Sequence, residues 1–195
     1  MPHTRTSYLP EVPRAPRSFV AGEIYHVHSR GSNRQAIFTF DSDRIDFLRC
    51  LERAVTRAHA SCLAYCLMSN HYHLVVETRD GELSSMMHSL NGGYSNRFNR
   101  RYDRDAHLFR NRFGAVHQES QSQLLWTLRY VSMNPVTGGL CGHPDEWPWS
   151  SYRPTAGLDP VPRFLNLARV LSFFGGSATE AMSRFRRAVE GTVGA

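Results

Sequence analysis

Two short motifs place side chains that could act together on a phosphodiester. His71 and His73 are separated by one residue in a β-like run, and further along the chain Asn134 follows Tyr130 at helical spacing. Side chains alternate along a strand with period 2, so the two histidines project from one face and can hold a metal ion. On a helix, residues at i and i+4 lie one above the other, with Cβ atoms about 5–6 Å apart. The pattern therefore predicts a nucleophilic tyrosine beside a further metal ligand.

The predicted chemistry is attack of the Tyr130 phenol on a phosphodiester. The pKa of a free tyrosine is about 10, so the phenol is a poor nucleophile at neutral pH unless a base, a cation or the substrate helps to deprotonate it. A bound cation would polarise the scissile phosphate and stabilise the charge that develops on its oxygens. Two imidazoles and an amide oxygen leave coordination positions open and suit Mg²⁺ or Mn²⁺. We expect a phosphotyrosine intermediate that another 3′-OH could reverse without ATP.

The charge of the chain is carried by arginine. All 23 basic residues of the 195-residue sequence are arginines, and the formal net charge is +6. Arginine binds phosphate through a planar fork and stacks on bases, which favours nucleic acid as the partner. Codon bias in a GC-rich genome explains the absence of lysine equally well. The length fits one α/β domain with an extension.

The cysteines and the hydropathy pattern indicate the cellular compartment of the protein. Four unevenly spaced cysteines do not form the pattern of a disulfide framework. The sequence shows no secretory signal and no apolar run long enough to cross a membrane. These features predict a protein of the reducing cytoplasm that does not enter a membrane.

Hydrophobic periodicity divides the chain into strands and helices. Residues 1–19 are rich in proline and arginine and lack periodicity, which predicts a flexible basic arm. The predicted strands cover 23–29, 62–67, 71–78 and 108–118, and the predicted helices begin at Asp41 or Ser42, at Leu83, and at a capping box formed by Ser120 and Gln123. Gly92 and Gly93 interrupt the second helix, and we expect them either to kink it or to let another group approach its backbone. Pro135 predicts that the third helix ends near Asn134.

The order strand, helix, strand, strand, helix, strand, helix is typical of an α+β ferredoxin-like fold. In this split βαβ sheet the strands are antiparallel, and here an added helix carries Tyr130. The first and third strands are neighbours at the centre of such a sheet, so His26 and His28 should lie close to the other two histidines. Residues 159–162 resemble a linker, and two short C-terminal helices follow within 164–191.

A basic band interleaved with aromatic residues is predicted to bind single-stranded DNA. Arginines on phosphates, with aromatic rings beneath unstacked bases, are how single strands are held. The alternative is a solvated helix face whose aromatic residues belong to the core. The residues predicted to contact DNA are Arg14, Arg17, Arg30, Arg97, Arg100, Arg101, Arg110 and Arg112.

Five stretches, at residues 25–31, 64–76, 108–113, 129–136 and 147–152, carry motifs in a characteristic order. They resemble the single-tyrosine HUH transposases, and most closely the REP-associated tyrosine transposases of bacteria. The resemblance implies a cytoplasmic, nucleoid-associated nuclease and strand-transferase that acts on single-stranded DNA with hairpins, as a monomer or a homodimer. We therefore divide the chain into a basic arm (1–19), a transposase domain (20–153), and a linker with a helical extension (154–195).

By matching position, the resemblance makes His71 and His73 the paired metal ligands and Asn134 the third ligand. It makes Tyr130 the nucleophile that forms a 5′-phosphotyrosine. The chain departs from the family pattern at a few neighbouring positions. These are Ser69, where proline is common, Tyr72, where a bulky aliphatic residue is common, and Arg110 and Asn111, where glutamine or glycine is common. No departure removes a reacting group, and the departures leave open which DNA is recognised.

Other interpretations of these residues compete. His26 and His28 form a second pair with the same spacing, and for His26 we favour a structural role or a hydrogen bond to a ligating imidazole. Cys62 and Cys66 could join the histidines around zinc, although burial of both thiols on one apolar strand face is favoured. The alternative function is a non-cleaving nucleic-acid-binding protein on the same scaffold, and the intact reacting residues favour the enzyme. A phosphohydrolase that uses water is disfavoured, because no carboxylate cluster accompanies the histidines.

Overall fold

The computed structural model describes residues 18–191, so most of the predicted arm, with Arg14 and Arg17, lies outside the described residues. Within this range the chain forms an antiparallel four-stranded sheet with the order β2-β3-β1-β4. The strands are β1 (Ile24–Arg30), β2 (Ser61–Leu67), β3 (His71–Glu77) and β4 (Gly114–His117). The predicted α+β ferredoxin-like arrangement is confirmed, with β1 and β3 at the centre of the sheet.

Helices pack on both faces of the sheet. The helices are α1 (Asp41–Arg57), α2 (Leu83–Arg101), α3 (Gln121–Thr137), α4 (Tyr152–Thr155), α5 (Leu167–Ser172) and α6 (Ala178–Glu190). α1 and α2 cover one face, and α3 crosses the other. α5 and α6 confirm the predicted C-terminal helices. None of the helices within residues 18–191 is long and apolar enough to cross a membrane.

Among the described residues, one hydrophobic core forms on each face of the sheet, because side chains alternate between the two faces. One core joins Val27 and Leu74 to α1 and α2. The other joins Val75 to Leu128 and Val131 of α3. α3 also contacts α6. The sheet and α6 therefore fix the position of α3 relative to the central strands.

The fourth strand is shorter than the predicted 108–118. β4 covers Gly114–His117, and residues 108–113 form an irregular loop. Leu108 and Phe113 are both buried in the core beneath α1 and α2. Residues an odd number of positions apart on a strand point to opposite faces, so a regular strand could not bury both in one core. The chain therefore departs from regular strand geometry between Leu108 and Phe113.

α1 begins where the sequence predicts, but neither predicted residue caps it. The N-cap position is Phe40, ahead of Asp41 and Ser42. The carboxylate of Asp43 accepts hydrogen bonds from the backbone N–H groups of Thr39 and Phe40, at 2.8 and 3.0 Å. An acidic side chain in the first turn thus satisfies donors that precede the helix, which is half of a capping box.

α2 runs through Gly92 and Gly93 without interruption, so of the two expected roles of these glycines the helix shows no break. At either glycine, a Cβ atom would meet no atom of the protein within 4 Å. A glycine inside a helix costs about 1 kcal/mol relative to alanine. Packing within the described part of the chain therefore gives no reason for the two glycines.

α3 extends beyond the end that Pro135 predicts. The helix continues to Thr137 and ends in a Schellman motif, in which the N–H groups of Gly139 and Leu140 donate to carbonyls of the last turn, both at 2.9 Å. Gly139 has a φ of +68°, which glycine adopts without steric cost. This cap overrides the preference of a residue before proline for extended backbone. Asn134 therefore stays on the helix, one turn after the tyrosine.

The segment after α3 covers the outer edge of β2. The Leu67 N–H donates to the Trp149 carbonyl, and the Ser151 N–H donates to the Tyr65 carbonyl, both at 2.9 Å. The indole Nε1 of Trp147 donates to the Leu67 carbonyl at 3.2 Å. These bonds satisfy backbone groups that an open edge strand would expose to other chains.

Asp43 links the start of α1 to the end of α2. Its buried carboxylate also accepts a hydrogen bond from the Tyr102 hydroxyl at 2.7 Å and pairs with Arg101. We predict that Asp43→Ala lowers the free energy of unfolding by about 3 kcal/mol or more, because two backbone N–H groups, the Tyr102 hydroxyl and Arg101 all lose the same buried, charged acceptor. The control is Asp41→Ala, since Asp41 is exposed and pairs with Arg44, and its loss should cost less than about 1 kcal/mol. Urea unfolding compares the variants, and equal losses contradict the prediction.

Candidate active site

The register of the two central strands gathers four histidines on the face of the sheet that α3 crosses. His28 pairs with His73, and β1 and β3 each carry a second histidine two residues earlier, His26 and His71. The ring centroids of His26 and His73 are 5.1 Å apart, as are those of His71 and His73, and His28 lies 6.1 Å from His73. The structure therefore brings the two histidine pairs together, as the topology predicts.

His71 has one ring nitrogen fixed and the other available to a ligand. Its Nδ1 lies 2.7 Å from Asn70 Oδ1, and the Asn70 amide nitrogen donates to the Arg34 carbonyl, which leaves that oxygen as the acceptor. His71 Nδ1 therefore carries the proton, and the lone pair of the neutral ring is on Nε2. Nε2 lies 3.3 Å from Asn134 Oδ1. Two acceptor atoms that face each other are an arrangement suited to a cation.

His73 is the most enclosed of the four histidines. It is 6% exposed, and its Nδ1 lies 2.9 Å from His26 Nε2. Its Nε2 is buried and has no hydrogen-bond partner among residues 18–191. A buried polar atom without a partner costs about 1–3 kcal/mol, so this nitrogen is a candidate metal ligand. The bond to His26 holds the ring in place, as outer partners of ligating histidines do.

All four imidazoles are neutral at pH 7. Burial, with a smaller contribution from His28, lowers the pKa of His26 from 6.5 to about 4. Burial and the neighbouring histidines lower the pKa of His73 further. Burial and the positive charge of Arg30 lower the pKa of His28 and of His71. A neutral ring keeps a lone pair for a metal ion, so the cluster favours metal binding at neutral pH.

α3 places Tyr130 at the open side of the cluster. The residue is 49% exposed, and its ring packs edge-on against His73 and His26, with centroids 5.3 and 5.8 Å away. Its hydroxyl has no hydrogen-bond partner in the described part of the chain. Asn134 lies one turn later, buried beside His71. The helix therefore brings both predicted side chains to the histidines.

The four histidines and Tyr130 line an open cleft of about 920 Å³. The strands contribute the histidines and Arg30, α3 contributes Tyr130, and the loop before β4 contributes Arg110 and Arg112. The three guanidinium groups make no ion pair within residues 18–191. Guanidinium groups without a protein carboxylate are suited to bind phosphate. The cleft therefore combines a nucleophile, candidate metal ligands and a positively charged wall.

The remaining predicted DNA contacts lie elsewhere. Arg97, Arg100 and Arg101 are on α2, on the opposite side of the sheet, and none of them lines the cleft. The Arg101 guanidinium pairs with Asp43 and Asp46 of α1. Arg101 therefore joins two helices, a role that its position in a basic run did not predict.

Trp126 is a cleft residue that was not predicted. It lies one turn before Tyr130 on α3, lines the same cleft and is 56% exposed. An exposed indole beside unpaired arginines is suited to stack on a nucleobase. Its i, i−4 spacing from the tyrosine is the sequence signal that could have identified it.

The cysteines take no part in the cluster. A β-bulge between Cys62 and Ala64 places Cys62 in the core beneath α1 and α2 and Cys66 in the core beneath α3, so the prediction that both lie on one strand face is wrong. Burial raises the pKa of Cys62 to about 12, and it raises that of Cys66 as well, so both thiols stay protonated. Across residues 18–191, no three His, Cys, Asp or Glu side chains are grouped to hold a metal ion. The Asn134 amide oxygen, 3.3 Å from His71 Nε2, is an oxygen donor beside the histidine pair.

Comparison with known proteins identifies the family. The family described as IS200-like transposase matches residues 20–134, more than half of the chain. No curated protein matches the sequence. The chain belongs to the IS200-like transposases and is therefore an enzyme of the tyrosine transposase class, which confirms the resemblance to the single-tyrosine HUH transposases.

Two solved structures are similar to the chain. The chain is similar to a REP-associated tyrosine transposase bound to a REP hairpin, with 16% identity and a TM-score of 0.62, over 76% of this chain and 89% of that chain. A candidate transposase from Deinococcus radiodurans is 12% identical with a TM-score of 0.44, over 58% of this chain and 92% of that chain. The first match confirms the fold, and the second is too distant to support an argument.

The depressed histidine pKa values predict how stability depends on pH. Between about pH 4 and 6.5 the unfolded state binds more protons than the folded state at His26, so the free energy of unfolding of the metal-free protein should rise with pH in this window. His26→Gln should make this rise less steep, while the rise due to His73 remains. The control is His88→Gln, an exposed position on α2. Urea unfolding at several pH values measures the slopes, and an unchanged slope in His26→Gln contradicts the prediction.

Proposed function

We propose that this transposase cleaves single-stranded DNA that contains hairpins and joins strands through a covalent intermediate on Tyr130. The observation that supports the proposal most strongly is the position of this half-exposed tyrosine. Its ring contacts His73, and the facing atoms of His71 and Asn134 lie in the same cluster. We assign this chemistry to residues 20–153 and a supporting role for α3 to residues 154–195, because α6 packs against α3.

We assign a divalent cation, Mg²⁺ or Mn²⁺, to His71, His73 and Asn134. The residues fit such an ion because His73 Nε2 is buried without a partner and because His71 Nε2 faces Asn134 Oδ1, both acceptors. A mixed set of two nitrogens and one oxygen leaves positions open for phosphate oxygens. When bound, the ion would polarise the scissile phosphate and stabilise charge on its oxygens.

The proposed step is an in-line exchange at phosphorus. The phenolic oxygen of Tyr130 forms a bond to the scissile phosphorus, and the bond from phosphorus to the 3′ oxygen breaks. The products are a 5′-phosphotyrosine and a free 3′-OH. The phenolic proton leaves to solvent, which the exposure of the residue allows, and the departing 3′ oxygen takes up a proton from solvent. Attack by another 3′-OH on the phosphotyrosine reverses the exchange and joins two strands without a further energy source.

The cleft favours unpaired DNA as the substrate. Arg30, Arg110 and Arg112 are placed to bind backbone phosphates, and Trp126 is placed to stack on a base. A base stacked inside a duplex could not reach the indole, so the strand near the tyrosine must be single. The similar REP-associated transposase is bound to a REP hairpin, which supports hairpin DNA as the partner of this chain.

Tyr130→Phe should abolish a covalent protein–DNA adduct. The full chain is incubated with a labelled hairpin DNA that carries single-stranded flanks, with Mn²⁺ or Mg²⁺, and the adduct is detected on a denaturing gel. Phenylalanine lacks the attacking oxygen, whereas DNA affinity should stay nearly unchanged because the arginines remain. Tyr102→Phe, on the other side of the sheet, is the control and should keep the adduct. An undiminished adduct in Tyr130→Phe excludes this nucleophile. An adduct-free chain that still binds the hairpin indicates the non-cleaving alternative.

Substitution of the four histidines should weaken metal binding to different extents. His71→Ala or His73→Ala removes a ligand and should abolish Mn²⁺ binding in calorimetric titration. His26→Ala removes the partner of His73 Nδ1 and should weaken binding roughly 10- to 100-fold. His28→Ala removes an exposed ring outside the ligand set and should cost far less. If His28 proves necessary and His71 dispensable, the ligand set is assigned to the wrong pair.

A further inference from the structure

A second cavity, of about 930 Å³, lies beside α2, which packs on the sheet face opposite the histidines. α2 contributes His88, Asn91 and Gly92 to its lining, and the loop before β4 forms the other side. We propose that this cavity binds an unpaired nucleobase of the DNA strand in the active-site cleft, and that Asn91 selects a base with an acceptor-rich edge, such as guanine. The inference rests on the proposed function, because it takes its ligand from the same substrate.

The two cavities share one wall. Arg110, Asn111, Arg112 and Phe113 line both the active-site cleft and the second cavity. The arginines are exposed and make no ion pair within residues 18–191. A strand that leaves the cleft over this loop would have its phosphates bound by the two guanidinium groups. The next base along the strand is then placed to enter the second cavity.

Asn91 supplies the chemistry of recognition. The buried Tyr72 hydroxyl donates to Asn91 Oδ1 at 2.6 Å. This bond occupies the amide oxygen and fixes the amide orientation, which leaves the two N–H donors of Nδ2 for an occupant of the cavity. Guanine presents two acceptors, O6 and N7, on one edge, whereas adenine presents an amino donor beside N7. Fixed donors therefore favour guanine and leave the adenine amino group without an acceptor.

Gly92 is consistent with an occupant that approaches α2 closely. It lines the cavity, and a Cβ there would meet no protein atom within 4 Å. Glycine lowers helix stability relative to alanine, and no packing in the described chain requires it here. A nucleobase in contact with the helix backbone would require it. Gly93 is equally open but does not line the cavity, so it provides a matched control.

The inference is tested by fluorescence anisotropy with the full chain, without divalent ions so that no cleavage occurs. The probes are a labelled oligo-dA and the same oligonucleotide with a single dG placed at successive positions. We expect the dG to tighten binding roughly tenfold at one position, the size of a two-point base contact. Asn91→Asp keeps the shape but replaces the donors with acceptors, and it should remove this preference.

Matched variants separate the proposed contact from general effects. Asn96→Asp adds the same charge to an exposed position of α2 outside the cavity and should keep the dG preference. Gly92→Leu should weaken binding of the dG probe at least about fivefold, and Gly93→Leu should not. Thermal unfolding verifies that each variant is folded. If Asn91→Asp does not fold, Tyr72→Phe frees the amide to turn and should reduce the preference instead.

Each possible result tests either the proposed base contact or the proposed function, and the two are distinguishable. Equal affinity for both probes in the unsubstituted chain overturns base selection, and so does a preference that survives Asn91→Asp. Equal weakening by Gly92→Leu and Gly93→Leu overturns the position of the base. In all three cases the covalent chemistry of Tyr130 is unaffected. Failure of the chain to bind any single-stranded probe, by contrast, contradicts the proposed function itself.

Discussion

The pairing of β1 with β3 sets the geometry on which the active site depends. Their antiparallel register places His28 opposite His73 and Arg30 opposite His71. Because side chains alternate along a strand, a slip of one residue would turn the histidines of one strand into the core beneath α1 and α2. The same slip would move buried residues such as Leu74 out of that core. Hydrophobic burial on one face therefore fixes the positions of the imidazoles on the other.

The second requirement is that α3 lies across these histidines with the correct face toward them. The apolar side of α3 packs on the sheet, α6 contacts it as well, and Gly139 permits the cap that ends it. Under this helix the protein keeps a buried nitrogen of His73 without a partner and a cluster of neutral imidazoles. Both features lower the stability of the fold, and both suit a metal ligand. Departures of this kind from the usual satisfaction of buried polar groups concentrate at functional sites.

Local periodicity explains what could be predicted from the sequence. The period of 2 placed the histidine pair on one face of a strand, the i, i+4 spacing placed the tyrosine and the asparagine on one turn, and the element order indicated the sheet. What could not be predicted depends on contacts between distant residues or on small backbone irregularities. Arg101 looked like a DNA contact, because its pairing with Asp43 appears only once α1 and α2 pack together. The bulge between Cys62 and Ala64, and a cap strong enough to continue α3 through Pro135, have no periodic signature.

We propose that two histidines from one strand and one asparagine from α3 form a single metal site beside the nucleophile. Diffraction from crystals soaked in Mn²⁺, with data collected at the manganese absorption edge, would locate the ion. We expect one strong anomalous peak within bonding distance of His71 Nε2, His73 Nε2 and Asn134 Oδ1, and loss of that peak in His73→Ala. A peak bound instead by His26 and His28, or no peak at a saturating Mn²⁺ concentration, would contradict it.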